Sequence, residues 1–131
     1  MVILVPLFAV LGWAGLFIHN VADLPGQTLL SPESFLPLLL TAALVALWLT
    51  AWRPVAAWGL LVLGVLNLIG AVLTVLPLPA LPFDPAQTPF HYGFHVLYGA
   101  TQLPVVITAA VWLRRRNSTD DSSTDGNGAA G

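Results

Sequence analysis

The chain has no cysteine and no lysine, and only 8% of its 131 residues are charged. The missing thiols remove disulfides, thiolate metal sites and cysteine nucleophiles, and with them the four-span thiol oxidoreductases. The cationic side chains are Arg53, Arg114, Arg115 and Arg116 alone. They make no surface for a phosphate backbone, so nucleic acid is not an expected partner. A water-soluble domain carries about a quarter charged residues, and this chain falls far short of covering such a surface. Phosphate-binding glycine loops are absent. The serines offer no catalytic nucleophile: Ser31 and Ser34 sit in a helix-capping context, and the others follow Ser118 in a polar tail. Small proton-coupled exporters of similar size depend on a carboxylate buried within a helix. No Asp or Glu lies inside an apolar run here, which sets that class aside.

What the chain does have is apolar sequence, 57% by composition. It falls in four runs, at residues 2–18, 35–52, 55–76 and 90–113. A helix needs about 17–25 residues to cross the hydrocarbon core, and lipid forces the backbone to satisfy its own hydrogen bonds. The expected fold is therefore all-α: an integral membrane four-helix antiparallel bundle, up-down-up-down, over residues 1–116. Its helices are expected at about 2–21, 33–52, 55–76 and 90–114. The opening "MVILVP" carries no basic residue, and no small-x-small cleavage site follows. The first run is expected to be retained rather than cleaved as a signal peptide.

Local signals mark the connections. "LPG" at 24–26 makes a turn, and "SPES" at 31–34 opens the second helix with an N-cap serine, a first-position proline and an early acid. "WRP" at 52–54 is a minimal link between the second and third helices. The proline-rich 76–89 runs extended. Residues 117–131 are small, polar and acidic, with nothing to bury, and read as a disordered tail. Arg53 and the Arg114–Arg116 triplet share one side of an even-span bundle. The positive-inside rule makes that side cytoplasmic, with both termini there and the protein in the plasma membrane. On that reading the sequon at Asn117 is cytoplasmic and unused.

Polar residues concentrate toward the opposite end. His91, His95, Tyr98 and Gln102 are spaced 4, 3 and 4, which places them on one narrow helical stripe. Bare polar groups are costly in lipid, so the stripe is expected to face the bundle. Pro104 follows it and frees the Ala100 carbonyl, which Thr101 or Gln102 is placed to satisfy. The first helix offers His19 and Asp23 at the same end, with Gly12 and Gly15 continuing the His19 face. The third offers Asn67 and Thr74. The candidate ligand-binding set is thus His91, His95, Tyr98, Gln102, His19, Asp23, Asn67 and Thr74. Within it, His91, His95, His19 and Asp23 are the residues able to hold a metal ion.

Three functions fit. The sequence alone favours a non-catalytic accessory or structural subunit acting through helix packing, in contact with lipid and with itself or another membrane protein. On this economical reading His91 and His95 are interfacial residues with polar tips, and Tyr98 and Gln102 join helices by hydrogen bonds. The alternative is an outward-facing binding protein or carrier for a metal ion, haem b or another small ligand. Bis-histidine haem would take one histidine from each of the first and fourth helices; a divalent metal would add Asp23 or Asp84. A histidine-based membrane enzyme ranks last, because no nucleophile or carboxylate pair accompanies the imidazoles.

Overall fold

The computed structural model describes residues 2–82 and 84–127, with side chains described as far as Ser118. The described chain is all-helical: α1 (Leu4–Asp23), α2 (Pro32–Trp48), α3 (Arg53–Leu73) and α4 (Pro89–Asn127). Three helices are long and apolar enough to cross a membrane: α1, α3 and the Pro89–Ser118 part of α4. The fourth, α2, has 17 residues. At about 1.5 Å per residue that falls short of the roughly 30 Å hydrocarbon thickness.

The shortness of α2 has a local cause. Past Trp48 the N–H groups of Leu49 and Thr50 reach back only three residues, to Ala46 and Leu47. The Thr50 hydroxyl also donates to the Leu47 carbonyl, at 2.7 Å, and Arg53 Nε donates to the Trp48 carbonyl at 3.0 Å. These tight turns end the helix four residues before the expected position 52 and swing the chain into α3. At the other end of α2, Ser31 is extended and Pro32 opens the first turn, as "SPES" implies. The serine hydroxyl, however, does not cap α2. It accepts the Thr28 N–H at 2.9 Å and closes the preceding turn. Gly26 adopts φ +71°, the left-handed conformation the "LPG" turn needs.

Two prolines act within helices. Pro37 in α2 has no N–H for the Glu33 carbonyl. Pro104 does the same to Ala100 in α4. The expected compensation at Ala100 is not what forms. Thr101 donates to the Tyr98 carbonyl at 2.8 Å, and Gln102 reaches across to α1. The start of α4 is capped by Thr88, whose hydroxyl accepts the His91 N–H at 3.2 Å. At its far end the described backbone of α4 continues to Asn127. Of the tail expected to be disordered, 117–131, the backbone is thus helical as far as it is described, while the side chains of 119–127 and residues 128–131 altogether lie outside the described residues.

Several polar side chains are buried while many large apolar ones are exposed. Gln102, Asn20, Ser34, His95 and Thr41 are buried, while Ile3, Leu30, Leu49 and Val96 stand more than two-thirds exposed. One end of the molecule is a dry core of Val5, Ala9, Trp48, Ala56, Ala57, Leu60, Val105 and Leu113. There Trp48 donates to the Val2 carbonyl at 2.9 Å and packs edge-on against Trp112. At the other end a smaller apolar cluster, Leu16, Ala71 and Tyr98, borders the polar residues. Helix α1 closes on α4 through glycines. Gly12 lies against Gln102 and Gly15 against Thr101, so the two backbones approach at positions without side chains.

Candidate functional site

The polar stripe of α4 faces inward. His91, His95, Tyr98 and Gln102 are all buried, whereas Val96, Leu97 and Leu103 lie on the outside. The stripe meets the end of α1, and the three histidines of the chain converge there on one carboxylate. Asp23 Oδ2 lies 2.7 Å from His91 Nδ1, 3.2 Å from His19 Nε2 and 3.7 Å from His95 Nε2. His19 Nε2 and His95 Nε2 are 3.0 Å apart. The Asp23 side chain is nine-tenths buried. It is the last residue of α1, two residues beyond the expected end of that helix at 21.

The hydrogen-bonded surroundings determine which imidazole nitrogens face the carboxylate as lone pairs. His95 Nδ1 lies 2.8 Å from the Ala71 carbonyl. A carbonyl only accepts, so Nδ1 carries the hydrogen and Nε2 is left bare in the neutral ring. That carbonyl belongs to the last turn of α3, where helical donors run out. His19 is oriented through a longer relay. Pro37 leaves the Glu33 carbonyl without its helical donor, and Asn20 Nδ2 fills the place at 3.0 Å while also donating to Ser34 Oγ at 3.1 Å. This fixes the amide of Asn20 with its oxygen toward His19 Nδ1, 3.3 Å away. His19 Nδ1 therefore donates, and its Nε2 points bare at His95 Nε2 and Asp23.

Two imidazole lone pairs and a carboxylate oxygen thus face one another at 3.0–3.7 Å. Without positive charge between them they repel. Asp23 Oδ2 is also buried without a well-directed hydrogen bond. The ion-pair distances to the histidines are short, but the N–H groups are not aimed at it. A misdirected N–H gives little hydrogen-bond energy, however short the distance. His19, Asp23 and His95 place one ligand atom each within 4.8 Å of the others. Ligands about 2.0–2.1 Å from a tetrahedral ion lie about 3.3–3.4 Å from one another, inside the observed range. The Nδ1 hydrogen bonds to Ala71 and Asn20 are the outer supports that metal-bound histidines use.

The same geometry disfavours haem. Bis-histidine ligation needs the two nitrogens about 4 Å apart, two metal–nitrogen bonds, with a macrocycle between them. The His19 and His95 rings instead meet edge to face, centroids 4.3 Å apart.

The remaining candidates form the floor. Tyr98 donates to Asn67 Oδ1 at 3.1 Å, Asn67 Nδ2 approaches Gln102 Oε1 at 3.5 Å, and Gln102 Nε2 donates to the Gly12 carbonyl at 2.8 Å. These three tie α1, α3 and α4 together beneath the histidines. Thr74 does not join them. Its hydroxyl donates to Gly70 of its own helix at 2.8 Å, because α3 ends at Leu73 and Thr74 caps it. Asp84 is exposed, in the loop before α4. Sequence reasoning missed Asn20 as a supporting residue. Its adjacency to His19 was visible, but the role depends on Pro37, a break in a different helix. If the centre holds an ion, replacing Asn20 by alanine should weaken its binding by about 10–100-fold, the usual cost of losing an outer support, with little change in stoichiometry. Calorimetric titration reads both. No family model, curated protein or solved structure matches this chain.

Proposed function

We propose that this is a non-catalytic integral membrane protein that binds a divalent transition-metal ion through His19 Nε2, His95 Nε2 and Asp23 Oδ2. The observation that carries the reading is the convergence of two oriented imidazole lone pairs on a buried carboxylate oxygen with no well-aimed hydrogen bond. A packing-only subunit, the simpler reading of the sequence, does not account for that arrangement, since helix packing gains nothing from facing three acceptors at one another. Nitrogen and carboxylate donors without thiolate favour Zn2+, Cu2+ or Fe2+ over Ca2+ or Mg2+.

The membrane setting is part of the proposal. Four spans in up-down-up-down order are supported by contacts that pair opposite ends of successive helices. Val2 meets Trp48 and Asn20 meets Ser34. Leu44 meets Gly59, and Ala71 meets His95. The arginines then lie at the cytoplasmic face of the plasma membrane with both termini, and the histidine centre opens outward.

Purified protein stripped with chelator and titrated with Zn2+ should take up one ion per chain. Affinity should fall as the medium is acidified, because protons compete for the imidazole nitrogens. Absence of stoichiometric uptake of Zn2+, Cu2+ and Fe2+ alike would return the packing subunit to first place.

A further inference from the structure

Beyond retention of an ion, the arrangement around His91 bears on what the ion can do. The following rests on the metal-binding reading above. We infer that the bound ion keeps one coordination position for an exchangeable ligand, water or a small anion, and that His91 Nε2 is the protein group that meets that ligand.

The protein supplies three donors to the centre, two from α1 and one from α4. The other polar groups near it are otherwise engaged. Tyr98 donates to Asn67, and the Asn20 amide is held by Glu33, Ser34 and His19. His91 is the remaining group of suitable chemistry, yet it stands behind the carboxylate. Its Nδ1 lies 2.7 Å from the same Asp23 oxygen that faces the other two histidines. Its Nε2 is buried and has no hydrogen-bond partner among the described residues. The residue is 9% exposed and its ring packs edge-on to His95, centroids 4.4 Å apart. A polar nitrogen left unpaired in such a place is costly, and a ligand on the ion able to hydrogen-bond with it removes that cost.

Three protein ligands and one open position distinguish reactive zinc-type centres from closed structural ones, which take four. The inner side of the centre is shut. Below the Tyr98–Asn67–Gln102 floor the space beside Gln102 is about 10 Å3, the size of one water molecule, and the dry core follows. Access is left at the rim, where His19 and Asp23 retain 12% and 10% of their side-chain exposure, and beside His95, which lines a groove of about 280 Å3 with Ala71 and Tyr92. A ligand that reaches the ion by either way must be small.

Loading the protein with Co2+ tests this, because cobalt reports its coordination through visible d–d bands. Titration with azide should shift those bands with saturation, one azide per ion. A His91→Gln variant, saturated with Co2+, should keep the four-coordinate band pattern, since His91 is not a ligand, and should need several-fold more azide for half-saturation; unchanged azide affinity would overturn the role of His91. Bands unmoved by azide, or a changed coordination pattern in His91→Gln, would mean that His91 turns inward and closes the shell as the fourth ligand. Either result overturns the open position while leaving metal binding intact. Failure to bind Co2+ at all overturns this inference together with the reading on which it rests.

Discussion

His95→Ala should reduce divalent-ion affinity by more than about 100-fold. Loss of an outer support alone costs about 10–100-fold, and in the proposed centre His95 is both a ligand and the link to α3 through Ala71. The substitution also leaves the Ala71 carbonyl without its donor, so stability should fall as well. A second variant separates the two effects. Asp23→Asn keeps the size and the short reach to His19 and His91 but removes the charge. It should fold with thermal stability close to that of the parent chain and still lose ion binding to a similar degree. Isothermal titration with Zn2+ and a thermal melt, each with and without the ion, give the answer. An Asp23→Asn protein that binds Zn2+ as tightly as the parent would exclude the carboxylate from the centre. The parent chain should also melt higher with Zn2+ present, because the ion joins α1 to α4 and binds only the folded arrangement.

The second large effect is expected at Gly15. A Cβ built there runs into the side chain of Thr101, and no position short of moving α1 away from α4 avoids the oxygen, Cβ and Cγ2 of that threonine together. Gly15→Leu should therefore force the helices apart, at a cost of about 1–3 kcal/mol or more, and should abolish ion uptake by the proposed centre, whose donors come from those two helices. Gly12→Ala is the graded control. Its Cβ would stand 3.0 Å from Gln102 Oε1, at the end of a flexible side chain that can give way. Its effect on unfolding in detergent should be the smaller of the two. Pairing Gly15→Ala with Thr101→Ala should recover part of the loss, and the double-mutant cycle measures the contact directly. Equal tolerance of Leu at 15 and Ala at 12 would show that the glycines do not set the distance between α1 and α4.

Much of this was legible along the chain because it follows from period and composition. The spacing 91, 95, 98, 102 makes one stripe on any helix, and lipid gives that stripe only one inexpensive direction to face. The apolar runs define helices because no other spanning segment satisfies its own backbone, and the proline and glycine signals at 24–26 and 31–34 mark where they break. The tertiary structure alone decided which polar groups became partners. His19 and His95 stand 76 residues apart, and no local pattern reveals that their Nε2 atoms face each other. Their tautomers depend on carbonyls at Ala71 and, through Asn20, at Glu33, freed by a helix end and a proline in two other helices. Asp23 looked like the residue after a span and became its buried last residue, because three imidazoles surround it. Thr74 went the opposite way, since a helix that stops at Leu73 uses it as a cap. Helix limits and hydrogen-bond partners are settled by competition among groups distant in sequence, and only the packed arrangement resolves that competition.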